Sequence, residues 1–186
     1  MTSIAQDPPP AASPAAAAPK VDRVRLAAIA HRLADPEFGT GALASLRRSE
    51  PATVLRQPAC HRLLLDVDEH ALGADGALRW ATAVHLLALL AKPGRGWPDR
   101  TTGAALADAR YSESRLARLL ASRGDAFRDQ AVLAARFLRG RDAACRPLDL
   151  AELALVEERA EGRADRLRHR IARDYYTVLD ARATAH

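Results

Sequence analysis

The chain has 186 residues, enough for one domain with a sizeable core or for two small helical lobes. Apolar residues make up 48% and aromatics only 4%, so Leu, Ala and Val must build the core. The net charge of +5 and pI near 9.8 favour an anionic partner, and no segment reaches the roughly 18 apolar residues that span a bilayer.

Ala and Leu are strong helix formers, and no stretch alternates β-branched residues with period two. The expected fold is all-α: two small helical bundles, about eight to nine helices in all, joined by a Pro/Gly-containing loop. The expected divisions are a tail at 1–20, an N-terminal bundle at 21–91, a linker loop at 92–102 and a C-terminal bundle at 103–182. Only Lys20 and Lys92 are lysines, so nearly all positive charge is arginine. Arginine's planar fork suits phosphate, although genomic base composition alone also produces such a bias.

Residues 1–20 are rich in Pro and Ala and contain no Arg. They lack the charged start and unbroken apolar run of a signal peptide, so a disordered tail on a soluble, cytoplasmic protein is expected. Val21 to Ala34 is an amphipathic helix with Leu26, Ile29, Ala30 and Leu33 inward, stopped by Asp35-Pro36. A short helix opens near Thr40, and another follows Pro58. His31 and His61 sit on or near apolar faces, as structural histidines do, and the run Leu63, Leu64, Leu65 reads as core. Asp66, Asp68 and Glu69 make an acidic patch after it.

Gly76 to Ala91 is apolar nearly all round, which marks a central, buried helix. KPGRGWPDRTT then reads as a loop, with Trp97 as its anchor or, alternatively, as a stacking ring between Arg95 and Arg100. Between Arg110 and Arg146 stand nine Arg against four acids. A helix from Ser112 turns Leu116, Leu119 and Leu120 one way and Arg115 and Arg118 away from them. In the next helix Phe127, Ala131, Ala134 and Leu138 face the core, opposite Arg128, Arg136 and Arg139.

The stretch after Pro147 carries Leu148, Leu155 and Val156 on a core face and is acidic at Asp149, Glu152, Glu157, Glu158 and Glu161. The last helix turns Leu167, Ile171, Tyr175 and Val178 inward and stripes Arg163, Arg166, Arg170 and Arg173 on another side. Those like charges repel by a few tenths of a kcal/mol per pair. Either the preceding acidic helix or phosphate relieves them, and the pattern leaves both open.

Catalytic signatures are missing. There is no Gly-rich phosphate loop, HExxH, GxSxG or framed carboxylate pair. Cys60 and Cys145 have no third ligand nearby and are expected to be buried, reduced and structural. No catalytic residue, metal or cofactor is expected; a helical, basic, anion-binding protein is.

Three stretches sharpen this: LRRSEPATVLRQPACHRLL from Leu46, TTGAALADARYSESRLARLL from Thr101, and the C-terminal IARDYYTVL. Together, in this order, they resemble the CasB family, the small subunit of the type I-E CRISPR Cascade surveillance complex, over roughly Val21 to Ala181. The resemblance implies a non-catalytic, all-helical protein of two bundles. Two copies would lie head to tail along the crRNA-bearing backbone subunits and the large subunit. It also implies a basic face that binds DNA non-specifically and stabilises the R-loop, chiefly the displaced non-target strand beside the target strand.

The family motifs carry DNA contact to Arg47, Arg48, Arg56 and Arg115. The helical faces add Arg118, Arg136, Arg139, Arg166, Arg170 and Arg173. The alternative is a free-standing helical regulator that reads particular duplex sequences.

Overall fold

A computed structural model of the chain describes residues 19–67, 73 and 75–184. Asp68, Glu69 and residues 1–18 of the expected tail lie outside these, whereas Pro19 and Lys20 begin the first helix. Among the described residues the chain is all-α, with ten α-helices, one 3-10 turn at Pro36–Phe38 and no strand. The helices are α1 (Pro19–Ala34), α2 (Thr40–Arg48), α3 (Pro51–Val54), α4 (Pro58–Leu63), α5 (Gly76–Leu90), α6 (Thr102–Asp108), α7 (Glu113–Ala121), α8 (Gly124–Gly140), α9 (Leu148–Val156) and α10 (Glu161–Ala183).

The expectation of eight or nine helices misses α3 and α6, which are too short to show a periodic face. Local bonds start them instead. The Glu50 N–H donates to Thr53 Oγ1 at 3.1 Å across the first turn of α3, and Pro51 supplies a preset φ. Thr101 caps α6, its Oγ1 accepting from the Ala104 N–H at 3.4 Å.

The centre is α5. From Trp80 to Ala91 every residue is buried, because α1, α2, α3, α8 and α9 all pack against it. Those contacts cross the 92–102 loop, and one continuous cluster of buried residues runs from Leu26 to Tyr175. The inward faces expected of α1, α8 and α10 are buried at Leu26, Ile29, Leu33, Phe127, Ala131, Leu138, Leu167, Ile171 and Tyr175. Burying a side chain of that size contributes about 1.5–3 kcal/mol.

The TTG stretch is a packing device. A Cβ on Gly103 would lie 2.2 Å from the Ile171 carbonyl oxygen, so only glycine lets α6 press its backbone onto α10. Thr102 Oγ1 donates to the Arg146 carbonyl at 3.2 Å, and Arg146 N–H donates to the Arg100 carbonyl at 2.7 Å. The 92–102 loop folds back on α1, where Trp97 Nε1–H donates to the Ala30 carbonyl at 2.9 Å. Trp97 is thus an anchor.

Two expectations need correction, and one about the cysteines does not. His31 and His61 are exposed, and the structural histidine is His85 of α5, whose Nδ1–H donates to the Leu46 carbonyl at 2.8 Å. Burial holds its pKa below the usual imidazole value; the Leu46 bond and Glu50 oppose the shift and Arg136 adds to it. Leu65 is 76% exposed, because α4 ends at Leu63 and the chain turns outward. Cys60 and Cys145 are buried, and burial pushes both thiols up to about 12, which leaves them protonated and unreactive.

Candidate nucleic-acid interface

Exposed arginines stand on α7, on α8 and just beyond its end, and half-buried Arg47 lies at the end of α2. Helix α7 packs against α8 through Leu116 and Leu119, and this turns Arg115 and Arg118 to solvent. Arg136 and Arg139 are exposed on α8, and Arg141 is exposed just beyond its end. None of these five forms an ion pair among the described residues.

They fall into two groups, because Arg139 lies two residues and so about 160° around α8 from Phe137. Arg115 and Arg141 both reach the ring of Phe137, with guanidinium carbons 6.0 and 5.5 Å from its centroid. Arg115 and Arg118 both act on Tyr111, although burial, the larger influence, still raises its pKa. At the other edge, Arg139 lies close enough to Arg47 to add to the lowering of the latter's pKa, which burial dominates.

Arg47 itself is committed to the fold. Its Nε–H donates to the Ala88 carbonyl at 2.8 Å and its Nη2–H to the Ala91 carbonyl at 2.5 Å. These are carbonyls that the end of α5 leaves without helical partners, and a cation there also meets the negative end of the helix dipole. Arg48 and Arg56 are exposed at the ends of α2 and α3, without an ion pair among the described residues, and nothing joins them to the α7–α8 band.

The α10 stripe divides. Arg170 Nη1–H donates to Asp149 Oδ1 at 2.8 Å. Arg163 holds Glu152 through its Nε at 2.6 Å and through Nη2. Arg23 of α1 reaches the same Glu152 at 3.1 Å, and buried Arg168 pairs with Glu157 at 3.1 Å. The acids of α9 are therefore buried partners: Asp149, Glu152 and Glu157 are 6%, 2% and 8% exposed. Arg173 turns to its neighbour Asp174 at 2.9 Å, and Arg166 is exposed, its guanidinium lying back over Gly162.

The ten expected contact residues thus separate into an unpaired set (Arg115, Arg118, Arg136, Arg139), a committed set (Arg47, Arg170), the self-paired Arg173, and the isolated Arg48, Arg56 and Arg166. Arg141 was missed by sequence reasoning. The signal was present in its spacing, since Arg141 lies four residues after Phe137 and so falls over the same ring.

No group of His, Cys, Asp or Glu among the described residues is arranged to hold a metal ion, and no described helix is long and apolar enough to cross a membrane. What the fold and its surface define is an all-helical protein with a cationic band on α7 and α8. The family model described as CRISPR-associated protein Cse2 matches residues 42–176, more than half of the chain, and the chain belongs to that family. Cse2 is CasB, the structural small subunit of type I-E CRISPR Cascade, a crRNA-guided complex. No curated protein and no solved structure matches the chain.

Proposed function

We propose that this Cascade small subunit binds DNA without sequence preference through the α7–α8 band and stabilises the R-loop by holding the displaced non-target strand. The observation that carries this is that Arg115 and Arg141 converge on one ring, and that neither they nor exposed Arg118, Arg136 and Arg139 form an ion pair among the described residues. Guanidinium groups bind phosphate oxygens through paired N–H donors, and phosphates carry no base identity. The subunit acts without catalysis, in the cytoplasm, beside backbone and large subunits and a second copy of itself. A regulator that reads duplex sequence is less well supported, because the exposed arginines are divided between α7 and α8 and are not gathered on one helix for a major groove.

The test is a salt titration of the full chain with a single-stranded oligodeoxythymidine. Each phosphate neutralised adds about −0.7 to the slope of log affinity against log salt, so replacing Arg115, Arg118, Arg136 and Arg139 by Ala should flatten it by roughly 3 units. In the assembled complex the same variant should shorten the lifetime of the R-loop. An unchanged slope removes the assignment from these arginines.

A further inference from the structure

Phe137 is a half-buried aromatic on α8 beside Arg115 and Arg141. Its ring is held from the core side by buried Tyr111, edge to face, with centroids 5.0 Å apart and planes at 63°. Tyr111 is itself fixed, because its carbonyl accepts the O–H of Tyr175 from α10. The ring therefore stands on a rigid support. Two guanidinium groups converge on it, Arg115 from α7 and Arg141 from the end of α8, 6.0 and 5.5 Å from its centroid.

Each cation gains from the ring's negative face, but two positive charges at one ring also repel, and neither has a carboxylate among the described residues. An anion between them removes that repulsion. A free phosphate needs no ring, and a paired base in a duplex has no face to offer. A nucleotide of an unpaired strand supplies both parts: phosphate for the guanidiniums and a flat base for the ring.

We propose that Phe137, with Arg115 and Arg141, is a stacking subsite for one unpaired base of a DNA single strand. This rests on the nucleic-acid reading above and adds a non-ionic component to it. When a strand binds, the guanidiniums swing from the ring to its phosphates and the base takes their place. Single strand is thereby preferred over duplex by a contact that salt does not screen.

Two measurements on the full chain test this. The first compares Phe137→Leu, which keeps apolar packing, and Phe137→Trp, which keeps a stacking face, with the unchanged protein on oligodeoxythymidine at several salt concentrations. Leu should weaken single-strand binding about 5- to 150-fold, as loss of one stacked base does. The salt slope and the duplex affinity should not move, because stacking releases no counterions. Trp should restore binding.

The second measurement uses the unsubstituted protein and oligodeoxythymidine with single 5-iododeoxyuridine replacements; ultraviolet crosslinking should mark the peptide that contains Phe137. Equal single-strand affinity of the Leu and unchanged proteins, or crosslinks only at other peptides, overturns the stacking subsite. If those results come while the fourfold arginine variant still flattens the slope, DNA binding through the band stands without the subsite. If that slope is unchanged too, the nucleic-acid reading itself fails.

Discussion

Two arginine-rich regions of this molecule look alike in composition and differ in what faces them. On α10, Arg163 and Arg170 meet Glu152 and Asp149 of α9, and Arg23 of α1 joins them from the other side. On α7 and α8, Arg115 and Arg141 meet an aromatic ring, and with Arg118, Arg136 and Arg139 they are exposed and form no ion pair among the described residues. The first region is an internal fastening, since its acids are buried and would carry uncompensated charge without their arginines. The second carries charge that the fold does not use. Density of arginine alone does not separate the two; the presence or absence of ion-pair partners does.

The largest effect expected from this contrast is at Glu152. Glu152→Gln leaves Arg23 and Arg163 without their shared carboxylate, and breaking a buried ion pair costs about 3–5 kcal/mol. Because both arginines keep some contact with water, the loss should fall near 2–3 kcal/mol in urea unfolding. The salt slope of DNA binding should stay where it was. A Glu152→Gln protein of unchanged stability would dissolve the distinction between the two regions.

Arg47 sharpens the same contrast from within the band. Arg47→Ala frees the Ala88 and Ala91 carbonyls at the end of α5, and hydrogen bonds from a charged donor contribute about 1.5–3 kcal/mol. Half-exposure places the expected loss near 1.5 kcal/mol, read as a lower melting temperature. Arg139→Ala, its neighbour, should change stability by no more than about 0.5 kcal/mol. Equal stabilities for the two variants would show that Arg47 does not hold α5.

The smallest effect is a pH dependence from His85. Its folded pKa is lowered, chiefly by burial, so the unfolded chain binds the proton more readily below its own value of about 6.5. Stability contributed by the neutral ring is complete above that pH and is lost as pH falls toward the folded value. The slope should reach at most about 1.4 kcal/mol per pH unit. A His85→Gln protein should show a flatter melting-temperature profile between pH 7 and 5, and an identical profile would assign the acid sensitivity to other groups.

Much of the fold is legible along single helices. The faces of α1, α8 and α10 follow from spacing alone, because a helix sorts its apolar residues on its own axis whatever lies opposite. The fate of the charges is not legible in that way. Arg170 and Arg136 look alike on a helical wheel, yet one faces Asp149 and the other faces water. That difference belongs to the neighbouring helix, about which spacing within one helix is silent.

The family motifs were readable as motifs but not as mechanics. RRSEP includes a cap for α5, and TTG is a close approach of α6 to α10. Leu65 marks a further limit, since a run of three leucines promises core only while the helix continues.

The shared core has a consequence for how the protein is made. Helix α5 is translated before α8 and α9, which both pack against it. At roughly 5–20 residues per second the wait lasts on the order of several seconds. Through that interval α1 to α3 shield only part of a helix that is apolar all round, and the rest of its surface is open to other nascent chains. Slow stretches of translation after residue 91 would therefore lower the soluble yield.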